Sequence, residues 1–283
     1  MGIEKVIIEG EKMIEKIKNN NFVKDFLKYR FLLAEIVRRN IKVQYRDSVL
    51  GIFWTFLQPL LSTFVLVAVF SNIFNNKTEY YPIYVLCGRL LYDFYSQTTK
   101  RGMRSITTAA GIIKKVYVPK YIYPLGNTLS CFVTFIISLL VLVAFMIYYV
   151  CFEGMPLSFN VLLFIVPVLI LYILSFGIGM ILATLSVFFK DIEYLYEVFC
   201  MLLFYLTPVF YNVDNLHISN KIIKMALMAN PLYSIVGMFR YAIMGLGEWN
   251  WNYFFYSLGF AIVMVVIGGL LFKKKEDKFI LHI

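Results

Sequence analysis

Residues 31–61 read FLLAEIVRRNIKVQYRDSVLGIFWTFLQPLL, and this stretch decides the class of the protein. At 100° per residue, Glu35, Arg38, Arg39, Lys42 and Arg46 fall within an arc of about 100°. Leu32, Leu33, Ile36, Val37, Ile41 and Val43 point elsewhere. The segment Asp47-Ser48-Val49-Leu50-Gly51 then opens into the apolar run that begins at Ile52. A helix with one narrow basic face and an adjoining apolar run reads as an interfacial helix over residues 31–48. It would lie along the inner surface of a bilayer, basic side in the headgroups, before the chain turns inward. An amphipathic helix of a soluble domain is the competing reading, and the adjoining run speaks against it.

Composition points the same way. The 283 residues are 60% hydrophobic, with a mean hydropathy of +0.74. An average soluble domain has only about 45–50% apolar residues, whereas a bilayer can take up the excess. Apolar runs near the ~20 residues needed to cross are Val49–Phe74, Tyr81–Ser96, Leu125–Val150, Val161–Phe189, Tyr194–Tyr211 and Trp251–Phe272. The second and fifth are short and need their polar flanks. The expected fold is thus an all-α integral membrane protein of six transmembrane helices. Six crossings put both termini on one side, and Lys/Arg placement says which. Residues 1–48 hold eleven, 97–124 six, 189–193 one and 273–283 four, while the opposite loops hold one in 75–80, none in 151–160 and three in 212–250. Both termini are therefore expected inside. The net charge of +10 belongs to this inner face, and no nucleic-acid partner is expected.

Leu232–Gly247 is apolar but carries Arg240 near its middle. Were it a seventh span, Lys273-Lys274-Lys275 would face outside, against the charge rule, and a central Arg costs roughly 2.5–3.5 kcal/mol on insertion scales. The expectation is a re-entrant or interfacial hairpin on the outer side, entered through the Asn230-Pro231 turn. A second amphipathic piece is expected as one cytoplasmic helix over 103–118. Arg104, Thr107, Thr108, Gly111, Lys114 and Lys115 share one face, and Ile106, Ala109, Ala110, Ile112, Ile113, Val116 and Tyr117 take the other, until Pro119 stops it. Periodicity leaves open whether it meets a partner or is a surface-lying linker.

Several chemistries are missing from the sequence. There is no Gly-x-x-x-x-Gly-Lys-[Ser/Thr] loop for nucleotide and no Gly-x-Ser-x-Gly elbow. Two histidines, His217 and His282, and no HExxH or Cys/His cluster make a metal site improbable. Cys87, Cys131, Cys151 and Cys200 have no disulfide-like spacing. No cleavable signal peptide is expected in the first 30 residues, which are charged throughout. Charge within the apolar runs is sparse: Arg89, Asp93 and Glu197. Arg89 and Asp93 are four apart on one helix face and are expected to neutralise each other rather than relay protons.

Five short pieces run in order along the chain. They are Val43-Gln44-Tyr45-Arg46-Asp47-Ser48-Val49-Leu50-Gly51-Ile52-Phe53-Trp54 with Gln58-Pro59-Leu60, then Ile113-Lys114-Lys115-Val116-Tyr117-Val118-Pro119-Lys120 with Pro124, then Phe188-Phe189-Lys190-Asp191-Ile192-Glu193-Tyr194. Thr207-Pro208-Val209-Phe210-Tyr211 follows, and Asn230-Pro231-Leu232-Tyr233 with Phe239-Arg240 closes the set. Together they resemble the membrane subunit of ABC transporters of the type-2 permease family, and within it permeases that export O-antigen, teichoic acid and capsular polysaccharide.

That resemblance implies a permease homodimer bound to two copies of a separate ATPase, which would carry the ATP and magnesium. This chain would bind no cofactor and be no enzyme itself. The cargo would be an undecaprenyl-type lipid-linked polysaccharide, and the location the cytoplasmic membrane of a bacterium or archaeon. Residues 1–30 would be a charged extension, 31–48 the interfacial helix, 49–272 the transmembrane domain and 273–283 a basic cytoplasmic tail. Coupling to the ATPase would fall to Arg104, Lys114, Lys115, Tyr117 and Pro119 and to Lys190, Asp191 and Glu193. Lys190 is expected to pair with Asp191, Glu193 or a partner's surface. Arg38, Arg39, Lys42, Tyr45 and Arg46 would form a gate or lipid-headgroup dock, meeting the pyrophosphate of the substrate. Pro208, Asn230, Pro231 and Arg240 would shape the outer hairpin. A type-2 exporter of drugs or lipids, or an integral-membrane glycosyl or acyl transferase, are the alternatives. The last would need carboxylates or His at a membrane face, where Asp191 and Glu193 alone come near.

Overall fold

A computed structural model describes residues 21–73, 80–156, 159–212, 221–245 and 249–283. The first twenty residues of the expected charged extension, and positions 74–79, 157–158, 213–220 and 246–248, lie outside them. The long elements are α1 (Asn21–Gln44), α2 (Trp54–Ile73), α3 (Tyr81–Met103), α6 (Ile122–Glu153), α7 (Ile165–Phe188), α8 (Ile192–Leu206), α9 (Lys221–Ala229), α10 (Pro231–Met244) and α11 (Trp251–Lys275). Shorter turns of helix are α4 (Ser105–Thr108), α5 (Ala110–Ile113) and α12 (Phe279–His282).

By length and composition, Gly51–Phe70, Ile122–Glu153, Phe159–Phe188 and Trp251–His282 are each sufficient to cross a membrane. α3 is also long enough, but Arg89, Asp93, Lys100 and Arg101 lower its hydropathy, and it is largely enclosed by its neighbours. α8 has fifteen residues and stops at Leu206, short of the run expected to Tyr211. The chain then leaves helical geometry at Thr207, whose Oγ1 donates to the Leu203 carbonyl at 2.7 Å.

The bundle is tied together by close backbone crossings. α7 makes its most extensive contact with α11, and glycines set the distance. A Cβ at Gly177 would meet the Val265 backbone nitrogen at 2.6 Å, and one at Gly268 would meet the Gly177 carbonyl at 2.6 Å. Small residues at such crossings let helices pack without side chains between them. α3 lies at the centre, packed against α2, α6, α7 and α10.

α1 starts ten residues earlier than the expected Phe31 and ends at Gln44, so Tyr45 and Arg46 stand in the turn that follows. Its Leu33 and Ile36 pack against α6, where Gly126 makes room: a Cβ there would sit 2.6 Å from Ile36 Cγ2. Asn40 Nδ2 donates to Asn127 Oδ1 at 2.8 Å and to Ser130 Oγ at 3.2 Å. Positive φ at Asp47 (64°) and Gly51 (52°) turns the chain into α2. The Ser48 hydroxyl accepts from the Gly51 amide there at 3.1 Å.

The expected single helix over 103–118 is not formed. Met103 ends α3, α4 covers one turn, and Ala109 (φ −90°, ψ 2°) breaks the ladder before α5. Helix ends at Ile113, so Val116 and Tyr117 lie beyond it. Ser105, Ile106 and Ile113 are buried, but Ile112, Val116 and Tyr117, expected on the apolar face, are exposed.

The tail 273–283 is more than a basic extension. Its Phe279 is wholly buried with Phe272, Val187, Ile106, Ile113 and Tyr123, the His282 ring lies 4.9 Å from that of Phe188, and Lys120 Nζ donates to the Glu276 carbonyl at 2.6 Å.

Candidate functional site

A cleft of about 380 Å³ opens where α1 crosses the C-terminal turn of α3. Arg39 comes from α1, Lys100 and Arg101 from α3, and Arg104 from the junction after it. Ile36, Val43, Ile112 and Tyr123 give the cleft an apolar side. Among the described residues, Arg39, Lys100 and Arg101 have no carboxylate within 4.0 Å. Arg104 does. Its Nε lies 2.8 Å from Glu193 Oε2 and its Nη2 3.1 Å from Glu197 Oε1, so this arginine joins the end of α3 to the first turns of α8.

Gln44 also lines a second cavity of about 50 Å³, whose other walls include Tyr45, Gln58, Asp93, Gln97 and Ser138. That volume suits a few water molecules rather than a larger ligand. Asp93 reaches it while held by Arg89 at 2.8 Å, so the expected i,i+4 neutralisation is formed.

At the far end of α3 a different cluster forms around Arg240, which is 5% exposed. Its guanidinium donates to the carbonyls of Tyr84 (3.0 Å) and Val209 (2.8 Å) and lies 3.4 Å from the Tyr84 ring centroid. Gly88 leaves the space it occupies, since a Cβ there would lie 2.9 Å from Arg240 Nη2. Asn230 caps α10 by accepting from the Leu232 amide at 3.0 Å, with Pro231 in the first turn. Its Nδ2 donates to Thr207 Oγ1 at 3.0 Å, so the breaks at Thr207-Pro208 and Asn230-Pro231 meet. At 1.5 Å per residue, Tyr84 and Arg101 are about 26 Å apart along α3, so the two clusters occupy opposite ends.

The expected residues therefore separate. Of the expected basic stripe, Arg39 lines the cleft; Arg38, Lys42 and Arg46 do not, and exposed Arg46, in the turn after α1, lies 3.9 Å from Asp47. Tyr45 belongs to the small cavity. Glu193 is taken by Arg104 rather than by Lys190, and Lys190 and Asp191 are exposed on the turn before α8. Lys114, Lys115 and Tyr117 are exposed on the loop past α5, and Pro119 begins the turn into α6. Lys100, Arg101 and Glu197 have no place among the expected site residues. The spacing of basic residues at 100, 101 and 104, at the foot of an apolar run, is the signal that marks the first two.

Comparison with known proteins adds a second line. Residues 32–244 match the family described as ABC-2 type transporter. The chain is 29% identical to an O-antigen export system permease protein RfbA of Klebsiella pneumoniae over 252 residues, covering 88% of this chain and 93% of the relative. It is 29% identical to an RfbA permease of Myxococcus xanthus, covering 77% and 82% respectively. It is 22% identical to the polysialic acid transport protein KpsM of Escherichia coli, covering 84% and 91%.

Proposed function

The chain belongs to the ABC-2 type transporter family, and from that premise we propose that it is the permease subunit of an ABC transporter exporting a lipid-linked cell-surface polysaccharide. The observation that carries this reading is the near full-length similarity to permeases named for O-antigen export and polysialic acid transport. The bundle transports and a separate ATPase hydrolyses ATP with magnesium. Two copies of each chain make the transporter, in the cytoplasmic membrane of a bacterium or archaeon.

Six crossings with both termini inside fit the Lys/Arg distribution. α3, at 23 residues, completes one crossing with its intramembrane charges paired as Arg89 and Asp93 and its remaining cations at the inner end. α8 completes another together with the non-helical 207–211. α9 and α10 form the outer hairpin, its two breaks joined by Asn230 and Thr207. The exposed loop carrying Lys114, Lys115 and Tyr117 and the turn carrying Lys190 and Asp191 face the ATPase.

Deleting the gene tests this reading. Undecaprenyl-linked polymer should accumulate inside the cell and surface polymer should fall. Unchanged surface polymer would remove polysaccharide as the cargo.

A further inference from the structure

We propose that the cleft between α1 and the foot of α3 is a resident binding site for an anionic membrane phospholipid, whose phosphate is met by Arg39, Lys100 and Arg101. The inference rests on the inward orientation proposed above. Three features of the cleft carry it.

The first is unbalanced charge. Three cations converge on one cleft, and among the described residues none has a carboxylate within 4.0 Å. The neighbouring Arg104 shows the alternative, since two glutamates hold it. Clustered cations with no carboxylate in direct contact repel one another, and an anion between them relieves that repulsion. Basic pockets between helices on the cytoplasmic side of a membrane are suited to phosphate headgroups.

The second is mixed chemistry. Ile36, Val43 and Ile112 line the same cleft as the cations, and Val43 and Ile112 are 58% and 39% exposed. A free inorganic phosphate would leave those groups in water, whereas a glycerophospholipid brings its acyl chains to them. Asn40, fixed by its bonds to Asn127 and Ser130, holds α1 against the cleft as one wall.

The third feature is size. The space of about 380 Å³ suits a headgroup with its glycerol.

Purified protein in phosphatidylcholine nanodiscs provides the test. Binding of phosphatidylglycerol, undecaprenyl diphosphate and inorganic pyrophosphate is measured by native mass spectrometry and by the shift in melting temperature. Phosphatidylglycerol should bind and raise the melting temperature. Arg39→Gln with Lys100→Gln and Arg101→Gln should weaken binding at least tenfold, and raising salt should weaken it in the wild type. Lys100→Arg with Arg101→Lys keeps the charge and should retain binding, which separates lost recognition from lost folding. Lys114→Gln with Lys115→Gln lies outside the cleft and should bind as the wild type does.

Equal binding to the wild type and the cleft variant overturns the site. Undecaprenyl diphosphate binding tenfold more tightly than phosphatidylglycerol overturns the resident-lipid assignment in favour of the cargo, and pyrophosphate binding as well as either lipid reduces the cleft to a soluble-anion site. A protein that exports polymer but shows no preference for phosphatidylglycerol fails this inference alone. One that binds the lipid yet exports no polymer fails the proposed function alone.

Discussion

Arg104 and Glu193, 89 positions apart in sequence, lie 2.8 Å apart and fasten the foot of α3 to the start of α8. Both side chains are partly exposed, and Glu197 shares the same guanidinium. Pairs of this kind are worth about 0.2–1 kcal/mol, so the contact directs geometry more than it stabilises the fold. Arg104→Glu should lower the melting temperature by no more than about 4 °C while reducing polymer export several-fold. Combining it with Glu193→Arg should recover part of the export. Equal export by the single reversal and the wild type would show that the contact plays no part in transport.

The Arg240 cluster predicts coupled substitutions. Arg240→Met leaves the Tyr84 and Val209 carbonyls without their buried donor, at about 1–3 kcal/mol. Gly88→Ala forces a methyl to 2.9 Å from both Arg240 Nη2 and Val209 Cα, at about 1–3 kcal/mol of overpacking. The double variant should cost less than the sum, because removing the guanidinium frees one of the two obstructed sides. Melting of the four proteins checks this, and strict additivity would deny the contact.

Residues 212–250 are expected to lie wholly outside, with no crossing. After replacement of the exposed native Cys151 by serine, single cysteines at Asn215 and Trp249 should both react with an impermeant thiol reagent on intact cells. Labelling of only one would place a seventh span between them.

The C-terminal tail should govern capture of the ATPase. Phe279→Ala empties a fully buried site between Phe188 and Phe272, and buried Phe→Ala changes cost about 3–5 kcal/mol. The loss falls on the small cluster that also holds Ile106 and Ile113, so α4 and α5 should loosen while the spans remain inserted. Co-purification of the ATPase should drop, and Phe279→Leu should restore most of it. Full capture by Phe279→Ala would separate the tail from coupling.

The legible parts of this fold are those with long periodic signals. Most of the long apolar runs are helical and Arg89 finds Asp93 four residues on, because each depends on neighbours in the same helix, whereas Leu33 and Ile36, expected against the bilayer, pack on α6. Contacts between distant segments are invisible to such a reading. Nothing local in Arg104 distinguishes Glu193 and Glu197 from solvent, and Lys100 and Arg101 form a cleft only because α1 lies across them. A helical projection over 103–118 assumes a helix that runs to Pro119, but α5 ends at Ile113, so Val116 and Tyr117 fall on no helical face. In the tail, Lys273-Lys274-Lys275 dominates the composition, and Phe279 is too isolated to announce a buried anchor.

The crossing at Gly177 and Gly268 has a mechanical consequence. With backbone against backbone at this point, α7 and α11 have little room to slide past each other. One end of this pair carries Phe188, Phe272 and the tail folded against them. A displacement of the tail therefore bears on both helices at once rather than on α11 alone.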